Sequence, residues 1–291
     1  MLQTNEVYVG RFYGRREGEV SDELIQRYCR GTGDFNARYT GQSEFGGPVA
    51  PALVLHSEVY SDVSWYLSVF GNLHAKQEWE LFHPIMAGDR VSSVRTIVDR
   101  YRKRDRDYVV NEVDTFGADG RLLVRGRTHQ SFLAAPQGGD GFVVDKEREK
   151  RGDRRFDLGE GVVMEELAGP KKEISIEMCR DFSGPHKNYH NDVEEARRLG
   201  FPDIVVQGMM PLCFISEMMT DRYGAGWYVG GRMTVNLVNV LWQGETVTAR
   251  GVVRDLVEEG AVHRANLQVW CEKLDGTKIV VGTASALTKR E

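Results

Sequence analysis

The segment MCRDFSGPHKNYH, residues 178–190, has an earlier counterpart in RYCRGTGDFNARY, residues 27–39, with Ser183-Gly184 falling on Thr32-Gly33. The offset between them is 151 residues. A second pair follows, PIMAGDRV at 84–91 and VLWQGETV at 240–247, sharing an apolar start, a Gly, an acidic residue and a valine at an offset of 156. Two matches in the same order, with a drift that small loop differences explain, mark a chain built from two units of one kind.

Working outward, each Gly-acid step leads into segments rich in Val, Thr and aromatics, the composition of strands. These are Val91 to Val98, Tyr108 to Phe116 and Leu122 to Phe132, and again Val247 to Val253, Arg264 to Trp270 and Ile279 to Leu287. Gly117-Ala-Asp-Gly120 and Asp275-Gly276 supply hairpin turns between the last two of each set, so the strands are expected to be antiparallel. Ahead of the strands, Pro51 to Phe70 and Met209 to Tyr223 are strongly apolar at helical spacing, the signature of a buried helix. Each half therefore reads as one central helix wrapped by an antiparallel sheet, an α+β unit. The expected division is 1–135, a charged connector over 136–165 centred on Asp145 to Arg155, and 166–291.

The 291 residues suit one large domain or two ordinary ones. With 38 Lys and Arg against 43 Asp and Glu, a net charge of −5 gives no general attraction to nucleic acid or an anionic membrane. The first twenty residues lack the apolar core of a signal peptide and no apolar run is long enough to span a bilayer, which sets the expectation of a cytoplasmic protein with no membrane association. Cys29, Cys179, Cys213 and Cys271 are far apart and fit reduced packing residues, and no metal-ligand cluster, dinucleotide fingerprint or nucleophile elbow is found.

The second half resembles the MaoC-like (R)-specific enoyl-CoA hydratases and dehydratases, through Ser183-Gly184-Pro185-His186-Lys187-Asn188-Tyr189-His190-Asn191-Asp192, then Ala196, Gly200-Phe201-Pro202 and Gln207-Gly208-Met209. The first half looks like the N-terminal repeat of double-hotdog members of that family, through Thr32 to Asn36, Gly46 to Pro51, Gly71 to Ala75 and Pro84 to Asp89. The resemblance implies a double hotdog and a hydro-lyase for acyl thioesters, hydrating a 2-enoyl-CoA or dehydrating a 3-hydroxyacyl-CoA without metal or redox cofactor. Coenzyme A is the favoured carrier and a homodimer the default assembly.

That chemistry needs a base for water, an acid for the α-carbon and a donor to the thioester carbonyl. In the family an Asp and a His five residues later supply the first two, and a backbone N–H at the start of the central helix the third. Gly208 stands at that helix start, and His190 at the histidine, but the aspartate position is Pro185 and the usual Asn falls on Lys187. The first half keeps Asp34 and Asn36 with Tyr39 at the histidine position. His190 and Asp34 are thus the catalytic candidates, and Gly208, Gln207, His186, Lys187 and Tyr189 the substrate-binding ones.

Three readings of His190 stand side by side: an acid/base residue, an imidazole tuned by His186 or Lys187, or a loop histidine bonded to backbone. Asp34 equally fits a turn residue folding back on its own backbone, and Asp192 a cap for the helix from Val193. The basic run Arg100 to Arg106 could meet the phosphates of coenzyme A, and Trp65, Tyr66, Phe70, Phe214, Met218 and Met219 could line an acyl site. Glu58 and Glu217 are helical carboxylates that a hotdog thioesterase could recruit, and a non-catalytic hotdog protein is a third possibility because of Pro185.

Overall fold

The computed structural model describes residues 7–60, 72–103, 106–133 and 161–289. In chain order the elements are β1 (Phe12–Glu19), α1 (Asp22–Thr32), 3-10 turns at Ala37–Tyr39 and His56–Tyr60, β2 (Leu73–Leu81), β3 (Arg90–Lys103), β4 (Arg106–Gly117) and β5 (Leu122–Leu133). Then come β6 (Glu165–Glu173), α2 (Ile176–Ser183), α3 (Val193–Arg198), α4 (Met209–Tyr223), a short turn of helix at Ala225–Tyr228, β7 (Arg232–Leu237), β8 (Thr246–Glu259), β9 (Val262–Lys273) and β10 (Lys278–Thr288).

The strands form one ten-stranded sheet in the order β1-β3-β4-β5-β2-β7-β10-β9-β8-β6. Every pairing is antiparallel, and the β2–β7 pair joins the halves through Lys76 to Glu80 against Arg232 to Asn236. The second sequence offset is written into the strand bounds: β3 and β8, and likewise β4 and β9, begin and end 156 residues apart.

Helix α4 is the expected Met209–Tyr223 segment with both bounds as read, and Met209 through Thr220 are all buried. It packs on β6, β8, β9 and β10. The first-half counterpart differs from expectation over its described part. Residues 52–55 form a turn and only His56–Tyr60 is helical, as a 3-10 segment. The remainder of the expected helix, including Trp65, Tyr66 and Phe70, lies outside the described residues, as does most of the charged connector. Phe214, Met218 and Met219 belong to the main hydrophobic core.

The repeated segments at 27–39 and 178–190 pack on each other through α1 and α2. A Cβ at Gly31 would lie 2.9 Å from the Phe182 backbone N, so only glycine permits this approach. Arg30 reaches Asp181 at 3.2 Å across the same junction. All four cysteines are buried and free.

Candidate functional site

The loop between α2 and α3 is fixed by its own side chains. The Asn188 amide donates to the Ser183 and His186 carbonyls at 2.9 Å, and Asn191 donates to His186 O at 2.9 Å. Asn188 Oδ1 accepts from the His190 N–H at 2.9 Å, and Asp192 caps α3 as expected, accepting from the N–H groups of Glu194 and Glu195. These bonds hold the loop rigid although it lacks regular structure.

They deliver His190 inward. Its Nδ1–H donates to the Val205 carbonyl at 2.7 Å, which fixes the neutral tautomer and leaves Nε2 as the lone-pair nitrogen. Tyr189 packs on the imidazole with ring centroids 3.8 Å apart, and Phe201 stacks on Tyr189. Burial pushes the imidazole pKa down to about 4, with the Val205 bond opposing. The ring is therefore neutral at pH 7.

Val205, which anchors His190, lies three residues before Gly208, the N-cap of α4. Among the described residues neither the Gly208 nor the Met209 N–H has a backbone acceptor, and α4 has no side-chain cap. These donors carry the positive end of the helix dipole. Gly208 is glycine for a packing reason: a Cβ there would lie 2.5 Å from Leu237 Cδ2 and 3.5 Å from His74 Nδ1. Next to it in sequence, Gln207 Oε1 is buried and has no partner among the described residues.

His74 comes from the other half, and sequence reasoning did not single it out. Register slips between His74 and Lys76, so that His74 opposes Gln130 and Gln77 opposes Thr128. The bulge at Ala75 thereby puts His74 on the same face as Gln77, toward the start of α4. Its Nε2 lies 3.1 Å from Gln77 Oε1, and its Nδ1 lies 2.7 Å from Tyr60 OH. Burial pushes this imidazole down to about 4 as well. The only sequence trace of a bulge was Ala75 itself, whose small size permits one and does not demand it.

The remaining candidates separate. Asp34 is buried 3% exposed, but its carboxylate accepts from Tyr39 OH at 2.7 Å and from the Asn36 N–H at 3.3 Å. Burial raises its pKa, and Tyr39 and Lys172 oppose. Beside it Lys172 donates to Gly33 O at 2.7 Å and to Glu217 Oε1 at 2.9 Å. Glu217 lies nine residues along α4 from Gly208, about 13 Å at the helical rise. Asp34 thus sits with Lys172 and Glu217, down α4 from Gly208.

His186 and Lys187 are exposed, and Lys187 Nζ pairs with Asp192 Oδ2 at 2.8 Å. The depressed His190 pKa therefore comes from burial, not from a neighbouring cation. Glu58 is committed to Arg95 at 2.9 Å, and in the basic tip Arg102 pairs with Asp107 while Arg100 donates to Val7 O. Arg104 lies outside the described residues.

No family model matches the sequence, and no curated protein matches it. Solved structures do match. One described as a MaoC-like dehydratase superposes with a TM-score of 0.73 at 16% identity, covering 98% of this chain and 99% of that one. A MaoC-like dehydratase from Phytophthora capsici gives 0.71 at 15% identity, covering 99% and 98%. A Mycobacterium tuberculosis protein described as having a double hotdog fold gives 0.66 at 14% identity, covering 97% of each chain. With its duplicated strands, single continuous sheet and buried helix in the second half, this chain has the double hotdog fold that the sequence resemblance implied.

Proposed function

We propose that the chain is a hydro-lyase of the MaoC-like type acting on an acyl thioester, with its working site in the second half. The observation that carries this reading is the neutral, anchored His190, whose Nδ1–H is held on Val205 O just ahead of the open N–H groups at Gly208. The arrangement supplies one base and one carbonyl donor.

The reaction runs on these groups alone. The thioester oxygen accepts from the Gly208 N–H, which draws electron density from the C2–C3 double bond. His190 Nε2 takes a proton from water as its oxygen bonds to C3, and the π electrons move onto the carbonyl oxygen. The imidazolium then returns that proton to C2, giving the 3-hydroxyacyl thioester and restoring the neutral ring. One histidine serves as base and then acid, so no carboxylate is needed at Pro185. Buried surroundings make the imidazolium costly, so turnover is expected to be slow. Coenzyme A as carrier, the residue ranges 1–135, 136–165 and 166–291 for the repeats and connector, and a homodimer belong to the same proposal. So do substrate-contact roles for Gln207 and Tyr189.

The test is crotonyl-CoA with the purified protein in a metal-free buffer. Loss of enoyl thioester absorbance with appearance of 3-hydroxybutyryl-CoA supports the reading. Release of free thiol without hydration would move it to a thioesterase, and no reaction with any of a panel of short, long and branched thioesters would defeat it.

A further inference from the structure

The two halves share a sheet but line it differently. At an offset of 156 residues, Gln77 falls on Met233, Ser93 on Ala249, Asn111 on Leu267, Thr115 on Cys271, Thr128 on Ala284 and Gln130 on Ala286. In each pair the first-half residue is polar and the second-half residue apolar, and all twelve are buried. Six inner positions are thus hydrogen-bonding in the first half and apolar in the second.

Part of the polar set satisfies itself. Thr128 Oγ1 donates to Gln77 Oε1 at 2.7 Å, His74 shares that acceptor, and Ser93 lies 3.0 Å from Thr115. Two acceptors stay open. The Asn111 amide donates from Nδ2 to Val59 O at 3.0 Å, which turns Oδ1 away, and among the described residues neither that oxygen nor Gln130 Oε1 has a partner. Asn111 is 2% exposed and Gln130 3%. A buried, unsatisfied carbonyl in a native structure calls for a partner, because leaving it unpaired is destabilising.

Position links these acceptors to the site. Gln130 is in register with His74, and Asn111 with Thr128, whose other neighbour is Gln77. The polar strip therefore starts at the His74 ring beside Gly208 and crosses from β2 through β5 to β4. At the usual strand spacing that is about 10 Å, the reach of a medium-length acyl chain.

We propose that the acyl part of the substrate carries hydrogen-bond donors, hydroxyl groups in the simplest case, and that Asn111 and Gln130 read them on the inner face of the first half. This deepens the thioester reading above and rests on it for the placement of the thioester at Gly208.

The experiment compares unreactive ligands by calorimetry: the octyl thioether of coenzyme A and its analogues hydroxylated at carbon 6 or carbon 8. A hydroxylated analogue is expected to bind the wild-type protein about tenfold more tightly or better, the effect of satisfying one buried acceptor. In Asn111→Leu/Gln130→Ala, which installs the residues the second half carries, the ratio should fall to about one. The wild-type ratio stands alone if that variant fails to fold. Octyl binding as tightly as both hydroxylated analogues, or a preference that survives in the folded variant, overturns the inference. Crotonyl-CoA hydration measured alongside separates the two levels. Hydration without a hydroxyl preference defeats only this inference, whereas a preference without hydration defeats only the hydro-lyase reading.

Discussion

Glu217→Gln should change how stability depends on pH. The carboxyl lies 7% exposed on α4, with Oε1 on Lys172 and Oε2 without a partner among the described residues. Burial, and then the nearby Asp34, raise its pKa from 4.5 to about 7, while Lys172 opposes. Because the folded value exceeds the unfolded one, the stabilising contribution is complete below about 4.5 and is lost as pH rises through about 7. At ~1.4 kcal/mol per pH unit this interval is worth about 3 kcal/mol. The variant cannot titrate, so its stability minus that of wild type should grow by about 3 kcal/mol between pH 4.5 and 7.5. The substitution also removes the anion from Lys172, so the offset at one pH says little and the slope is the observable. Urea unfolding followed by tryptophan fluorescence at four pH values measures it. A difference that stays constant with pH would show Glu217 to be an ordinary ionised partner of Lys172 and would sink the picture of a strained, buried cluster around Asp34.

Other expectations concern the site. Asp34→Asn should lower stability by about 1–2 kcal/mol through the Tyr39 and Asn36 bonds while hydration persists; thermal melts and rates on one preparation decide, and abolished turnover in a stable protein would return Asp34 to the chemistry. Gly208→Ala should lower kcat roughly 10²-fold or more, because its Cβ would collide with Leu237 and turn the donor away. Unchanged kcat would exclude that N–H. The kcat/KM profile should stay flat from pH 8 to about 5 and fall toward about 4 as His190 gains a proton and ceases to be a base. An inflection near the ordinary histidine value would mean that the working base is elsewhere.

Much of the fold was legible because its signals are local. The apolar run of α4 ends at Gly208 and Gly224, and the inner strands of each half carry Val, Thr and aromatics between turn glycines. The edge strands escaped notice for the same reason. β1 reads FYGRREGE and β6 EELAGPKKE, sequences whose charges keep sheet edges from pairing and hide the strand from a hydropathy reading. The site was half legible. The motif names His190 and Gly208, and the structure sets His190 on the Val205 carbonyl, a bond that the loop-histidine reading also expects, while the exposed His186 and Lys187 lend nothing to the reading in which they tune the ring. What brings Asp34 to Glu217 is contact between distant segments, and what turns His74 inward is a bulge. Neither leaves a pattern in the sequence near the residue concerned.

The central claim is that His190 moves the proton while Gly208 holds the carbonyl. It is tested most directly by the initial rate of crotonyl-CoA hydration in wild type and His190→Ala, each with its melting temperature. A proton-transfer residue typically contributes about 10²- to 10⁴-fold, so the account predicts a fall of that size with the variant folded and saturable by substrate. A folded His190→Ala protein that hydrates crotonyl-CoA within about threefold of wild type would contradict it.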